Sequence, residues 1–507
     1  MSKTNNQTSL KNGLLASILF FFSAVAAIAL PGTGANNLQT TSGVTFDQSG
    51  PTLTFTAPDK AVLNWANFGS GTDAIGLTDT IKYNLPSAKA SVLNVVSGSQ
   101  NTVINGTIES NGGVYILNPN GIVIGNGARI DTARLVLSTV DAPFAASYKF
   151  MQDGTVPSES GNRTAAGSTT ITGTALILTP NIILNTKDFS FYGGLTGGNL
   201  TANADGAVNL GSGVTAGFVS DTLTVNNPTG VTTLGQVGGY NVGANTAINI
   251  VTDIGSIVNS AGASANTRVL NLTSGANGTI NLATVTAPVV NATGGNITIA
   301  FASNVPAAAF SATATGNLSV TAPAALTLTN VKNTGAGTST FTAGGKLTLA
   351  GVHIDASGVT TFRGTSVVDS LPNVFVYGPT LFAATATDVA VTQAGHSFGP
   401  LSISAPTGNA TVYENAAINL NAVNVKDLTL KTKQFFFQTP TTASLTANKF
   451  DLTTLGDIAF TGGTITGGLL INAGAGNVDL SKLSIATNLN NITPTVTTTG
   501  TVTNPTQ

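Results

Sequence analysis

Residues 111–125 read N-G-G-V-Y-I-L-N-P-N-G-I-V-I-G. Four apolar residues run up to Asn118-Pro119-Asn120-Gly121, and three more follow. Two turns fit that tetrapeptide. With Pro at its second position and Gly at its fourth it is a type I turn, which bends the chain at a corner and leaves Asn120 with negative φ. With Asn120-Gly121 as the central pair it is a type I′ hairpin, which needs positive φ at Asn120. Pro119 presets φ near −65°, and neighbouring segments also turn at Gly or Asn without a clean hairpin. The corner is therefore expected: the second apolar run does not fold back on the first.

The whole chain carries the same texture. Of 507 residues only 8% are charged, against a norm of roughly 25%. Gly numbers 58 and hydrophobic content is 42%, which argues against disorder throughout. Long helices dress their wet face in Glu, Lys and Arg, and this chain lacks them. A net charge of −2 leaves no basic field for nucleic acid. With no Cys, disulfides, thiolate catalysis and Cys-type metal sites are excluded together.

The N-terminus has the three-part form of a secretory signal peptide, assigned to residues 1–29. Lys3 and Lys11 give the positive start, Leu14 to Phe22 the apolar centre, and Ala24/Ala26, Ala27/Ala29 and Ala35 the small-residue exits. Cleavage is expected among residues 26–35. An uncleaved helix over Leu14 to Leu30 would sit at the lower limit for spanning a bilayer. No second apolar stretch of that length follows, so no transmembrane segment is expected in the mature chain.

From Val44 onward the alternation is that of strands, as in T-L-T-F-T at 52–56 and D-L-T-L-K at 427–431. Apolar anchors at Leu200, Leu223, Ile248, Leu270, Ile297, Leu318 and Leu347, then Leu381, Leu401, Leu428, Leu452 and Leu470, recur loosely every 18–29 residues. That is the period of one coil of a β-solenoid. A coil of two or three short strands cannot bury its own apolar face, but stacking on the next coil pairs every backbone group along the axis. The expected fold is all-β, a parallel β-helix. At about 23 residues per coil, roughly 19 coils give a rod on the order of 90 Å long. Residues 141–168, rich in charges and aromatics, read as an insertion packed on the rod. Residues 186–486 read as a repeat shaft and 487–507 as a flexible tail. Phe435-Phe436-Phe437 is either a locally wide core or a sticky surface stripe.

Four segments carry a resemblance: A-V-L-N-W-A-N-F at 61–68, S-V-L-N-V-V-S-G at 91–98, I-N-G-T-I-E-S-N-G at 104–112, and V-Y-I-L-N-P-N-G-I-V-I-G at 114–125. A-R-I-D at 128–131 and S-T at 138–139 continue it. Together they resemble the N-terminal secretion domain of filamentous haemagglutinin-type proteins, the exported partners of two-partner secretion systems. The likeness spans about 60–140 and extends to 185, so the domain is placed at 44–185. It implies a right-handed β-helix, export through an outer-membrane barrel whose periplasmic domains recognise the N-terminal segment, and an extracellular or cell-surface location on a Gram-negative-type bacterium. Family members are mostly adhesins; some are cytolysins or contact-dependent toxins. The residues that carry over are Asn94, Asn105, Gly106, Asn118, Pro119, Asn120, Gly121 and Ile122, as turn formers, as transporter-recognition residues, or as both. Val95 stands where the family often has Arg. No Arg-Gly-Asp triplet is present. Trp65, the only Trp, reads as a cap or core filler rather than a ligand platform.

The same fold class hosts polysaccharide-degrading enzymes, which gather two or three carboxylates on one face. Here 21 acidic residues are thinly scattered. His353 and Asp355 share a strand face by alternation, and such a pair reads as a surface hydrogen bond. No H-E-x-x-H, G-x-S-x-G or phosphate-binding loop occurs. The sequence thus favours an adhesin-like binding rod with a cell-surface or carbohydrate receptor and no cofactor. The alternatives are a self-associating matrix rod and, less favoured, a β-helix enzyme. Thr52-x-Thr54-x-Thr56 does not extend into the regular rank that ice binding needs.

Overall fold

The computed structural model describes residues 30–503 except 35, 72–73, 142, 157–166, 193, 197, 212–217, 235–241, 260–264, 438–444, 461–463, 466–467 and 486–494. The expected signal peptide lies outside the described residues.

One coil consists of strands Thr80–Asn84, Ser91–Val96 and Thr102–Ile104, and the next of Thr107–Ser110, Gly113–Leu117 and Gly121–Ile124. Each strand pairs in parallel with its counterpart one coil on: Ile81 with Ile108, Asn94 with Ile116, Ile104 with Ile124. Three ladders result, called first, second and third in chain order. The protein is a parallel β-solenoid of about 16 turns with roughly 21 residues per turn. Parallel pairing starts with Leu53 on Ile81, near the beginning of the described chain.

One coil makes a long excursion. Thr132 hydrogen-bonds Thr179, its neighbour one coil on but 47 residues later in sequence. Most of that excursion is the stretch 141–168, expected as an insertion. It contains the helix Pro143–Asp153, which the sequence reading did not anticipate.

Alternation along each strand sends one residue set inward. In the second ladder Leu63, Asn94, Ile116, Leu137 and Leu184 stand in register, all buried. In the third ladder the outward row runs Val123, Thr170, Ser190, Asn209, Thr233, Val258, Asn281, Thr298, Ser319, Thr340, Thr361 without a break. At ~4.8 Å per coil the solenoid is on the order of 75 Å long. Further along the shaft, Phe341, Phe362 and Phe382 stack in the core with ring centroids 5.5 and 5.4 Å apart. Such offset aromatic pairs add to what area burial alone contributes.

Asn does more than turn corners. Asn203 donates its amide to Asn185 and Asn226 to Asn203, each at 2.8 Å. A second ladder links Asn249, Asn271 and Asn291 at the same distance. Identical side chains at identical register satisfy one another from coil to coil, as in stacked cross-β arrays.

Both ends depart from the parallel pattern or from expectation. Leu38–Thr40 lies antiparallel on Ala61–Trp65, and Thr45–Ser49 antiparallel on Thr52–Thr56, so the first coil does not present its edge bare. At the other end, inside the stretch expected as a tail, Thr495–Thr498 and Val502–Thr503 pair in parallel on Gly468–Gly474 and Val478–Asp479. Phe435–Phe437 lies on the strand Gln434–Phe437, paired on both sides; its side chains are outside what is described.

Candidate functional site

Ser91–Val96 and Gly113–Leu117 are buried at every residue, not at alternate ones. Val114 and Ile116 point into the solenoid core. Tyr115 and Leu117 point out, with Val62, Leu93, Val95 and Val136, into a second apolar cluster closed by Ala146, Phe150 and Val156 of the insertion. This explains the opening stretch. The run V-Y-I-L is apolar throughout because it has two interiors, one in the solenoid and one under the helix. Phe150 meets Tyr115 edge-on at 4.9 Å between centroids, and the Arg134 guanidinium lies 5.4 Å from the same ring.

The C-terminal end of the helix is tied to the rod. Lys60 donates to the Gln152 carbonyl at 2.8 Å, a cation at the negative end of the helix. Lys149 pairs with Asp153 at 2.6 Å. The Lys149 ammonium, with donors from Thr155, holds the Asp153 carboxyl well below the usual carboxylate range. Between helix end and rod lies a cleft of about 410 Å³ that includes Lys60, Lys89, Arg134, Tyr115 and Asp153 in its lining.

The corner Asn118–Gly121 joins the second ladder to the third. Its two flanking strands never pair with each other: Gly113–Leu117 pairs with Ser91–Val96 and Arg134–Ser138, and Gly121–Ile124 with Thr102–Ile104 and Ser168–Ile171. Gly121 N–H donates back to Asn118 C=O at 3.2 Å. Asn120 is not among the residues with positive φ, whereas Gly121 has φ +136°. The corner reading holds, and Gly121 takes the conformation that a side chain would strain. Asn118 is fully buried. Its amide donates to Gln100 C=O at 2.9 Å and Thr102 Oγ1 at 3.0 Å on the preceding coil, and its side-chain oxygen accepts from the Asn120 N–H at 3.0 Å. Asn120 is exposed and donates to Gly98 C=O at 2.6 Å. Ile122 is core. Pro119 is half-buried.

The other carried-over residues sit elsewhere. Asn94 is inside the solenoid, fully buried. Its oxygen accepts from Trp65 Nε1 at 3.0 Å and from Tyr83 Oη at 2.9 Å, and its amide donates to Tyr115 C=O at 3.2 Å. Trp65 is core, as expected. Burial pushes the Tyr83 phenol far above its ordinary value, and the Asn94 hydrogen bond only partly offsets this. Asn105 and Gly106 form the corner between Thr102–Ile104 and Thr107–Ser110, a different corner from Asn118–Gly121. A Cβ on Gly106 would collide with the carbonyl oxygens of Gly76 and Asp79. The eight residues thus do not converge on one surface patch. Five are buried, and Asn105, Pro119 and Asn120 are the ones solvent reaches.

Residues 31–263 match the family model described as the TPS secretion domain, TPS standing for two-partner secretion. The chain carries a TPS secretion domain. It begins before and ends after the segment 44–185 that the sequence motifs marked, and includes the helix, the cleft and every residue of the turn motif. Over 83 residues, 16% of the chain, it is 37% identical to a heme/hemopexin-binding protein of Haemophilus influenzae. Over 98 residues, 19% of the chain, it is 33% identical to the protein of that name from a second strain of the same organism. These matches span only 8% and 9% of the relatives' own lengths. The crystal structure of the HMW1 secretion domain from Haemophilus influenzae aligns with 83% of this chain and all of its own, at 16% identity and a TM-score of 0.23. A TPS secretion domain implies a partner outer-membrane transporter and secretion from a Gram-negative cell, so the protein is extracellular or at the surface. Among the described residues no helix is long and apolar enough to cross a membrane.

One buried polar pair outside the TPS domain escaped the sequence reading. His396 donates from Nε2 to Asp369 at 2.7 Å, with the two side chains 0% and 2% exposed. His396 Nδ1 accepts the Val374 N–H at 3.0 Å, which fixes the tautomer. The partners are 27 residues apart, so only the coil register brings them together. The pair that sequence did flag, His353 and Asp355, is an exposed hydrogen bond of 2.8 Å, as expected.

Proposed function

We propose that this protein is a β-helical exoprotein of a two-partner secretion system, whose TPS domain is recognised by the transporter and whose remaining coils serve as an adhesin-like binding rod. The TPS match over 31–263 carries the reading. The continuous ladders support it, because each coil needs only its predecessor to fold. A chain leaving a pore N-terminus first meets, in the antiparallel cap and the Trp65–Tyr83–Asn94 core, a finished end on which later coils add.

Within the TPS domain, the recognition role falls to groups that solvent reaches: Asn120 and Pro119 at one corner, Asn105 at another, and the cleft beside the helix, where Lys60, Lys89 and Arg134 stand with Asp59 and Asp153. Asn94, Asn118, Gly106, Gly121 and Ile122 act on recognition only through the shape they maintain. The heme or hemopexin binding named for the relatives is not carried over, since under a tenth of each is matched. No catalytic role is assigned.

Co-expression with a cognate outer-membrane transporter tests the reading. The full chain should reach the medium or cell surface only when the transporter is present. Moving the N-terminal 150 residues to the C-terminal end should abolish export. Unchanged secretion of the rearranged chain would refute N-terminal recognition.

A further inference from the structure

We propose that His353, Asp355, Phe375 and Tyr377 form a saccharide-binding platform on the outer wall of the shaft. The proposal rests on the reading of the shaft as a binding rod and gives that rod a ligand class and an address.

Coil register assembles the four. His353 pairs with Phe375 and Ile354 with Val376, so the polar pair of one coil lies beside the aromatic pair of the next. The imidazole is 5.6 Å from the Phe375 ring and 5.9 Å from the Tyr377 ring. Its Nε2 lies 2.8 Å from Asp355 Oδ1, and both side chains are about four-tenths exposed. Tyr377 is 64% exposed, more than any other aromatic among the described residues. In a chain that buries its rings in stacks, this one is left in water.

The chemistry selects the ligand. A sugar ring offers an apolar C–H face and an edge of hydroxyls. An exposed aromatic face suits the first; an adjacent carboxylate and imidazole, which together accept and donate, suit the second. A peptide added as a strand is disfavoured, because Phe375–Val376 is already paired on both sides, to Leu347–Ile354 and to Ser397–Phe398. A polyanion is disfavoured, because the only cation in the surrounding rows is Lys332, one coil before His353.

The platform is also held rigid. His396 accepts the Val374 N–H immediately before Phe375, while Asp369 takes His396 together with the N–H groups of Thr392 and Gln393. This buried knot clamps two consecutive coils where the aromatic strand begins, so little ordering remains to be done on binding.

The test uses the full chain on an array of neutral oligosaccharides ending in hexoses or N-acetylhexosamines, with titration calorimetry on those that bind. At least one should bind. Tyr377→Ala should weaken it at least tenfold and Asp355→Asn several-fold. Tyr377→Phe should keep most of the affinity, and Leu455→Ala, at an exposed position on another part of the shaft, should change nothing. Binding to no neutral oligosaccharide would overturn the platform, as would a bound one that Tyr377→Ala and Asp355→Asn both retain, or binding only to sulfated glycans that salt abolishes. Adhesion to cells, measured in parallel, separates the two levels. Adhesion that survives Tyr377→Ala refutes the platform and leaves the rod reading intact; adhesion to no surface refutes both.

Discussion

Asn94 lies in register with Leu63 in a row of inward aliphatics, and it is the one polar member among its near neighbours. It is there because Trp65 and Tyr83, both fully buried, each carry a hydrogen that needs an acceptor. Asn94→Leu keeps the volume and orphans both donors. The expected loss is about 2–6 kcal/mol of stability, at about 1–3 kcal/mol for each of the two buried unpaired groups. Denaturant unfolding followed by the single tryptophan measures it; a loss under 0.5 kcal/mol, taken as roughly the spread of neutral substitutions, would show that the pairings contribute little.

Asn118 and Asn120 separate folding from recognition at one corner. Asn118→Ala removes the side-chain hydrogen bonds with Gln100, Thr102 and Asn120 and is expected to cost about 2–3 kcal/mol. Asn120→Ala, at an exposed site, should leave stability within about 0.5 kcal/mol. If the transporter reads this corner, secretion should fall for Asn120→Ala at unchanged stability. Secretion that tracks stability alone across both variants would restrict the motif to a turn.

Phe150 holds the helix to the rod through Tyr115. Phe150→Ala should cost about 3–5 kcal/mol of the helix's attachment while the parallel ladders stay formed. Hydrogen exchange should therefore quicken in 143–153 and not in the strands 80–84 or 107–110. Equal quickening in both would mean that the helix is part of one cooperative unit with the coils.

Glu414 gives the shaft a pH dependence. The side chain is buried, one oxygen accepts the Phe398 N–H at 3.0 Å, and burial pushes its carboxyl up to about 8. An unfolded Glu ionises near 4.5. Between those values the folded state holds the extra proton, so this group's contribution is complete below pH 4.5, declines as pH rises, and is gone above pH 8. Asp369 acts in the opposite sense. Burial raises its carboxyl, but hydrogen bonds from His396, Thr392 and Gln393 outweigh that and hold it below its ordinary value, so its contribution fades only in acid. Unfolding measured from pH 5 to 9 should show stability falling for the native chain and a flatter profile for Glu414→Gln. Parallel profiles would assign the dependence elsewhere.

Much of this was legible in the sequence because a solenoid writes its period into the chain. Leu200, Leu223, Ile248 and Leu270 do stand in one vertical row. Beyond them the anchors change ladder: Ile297 pairs with Leu318 in the third ladder, and Leu347 belongs with Leu326 and Val367. Leu470 is 42% exposed and was never a core residue. Short apolar dipeptides recur in all three ladders, and sequence spacing alone does not say which one a Leu occupies. The helix was hidden because the sequence shows no helical period over three turns there; among its described side chains, Ala146 and Phe150 join the second apolar cluster. Asn94 joins the turn and recognition residues through the family resemblance alone; its burial depends on Trp65 and Tyr83, 29 and 11 residues away.

The central claim is that successive coils stack in one register through both the TPS domain and the shaft. Spin labels on the outward row of the third ladder test it most directly, and the absence of Cys makes labelled pairs simple to build. Thr298 and Thr361 stand three coils apart, and Thr170 and Thr298 six. At ~4.8 Å per coil, backbone separations of about 14 and 29 Å are expected. Electron–electron distances that double from the first pair to the second would bear out the stacking; distances that are equal, or broad and unrelated to coil number, would contradict it.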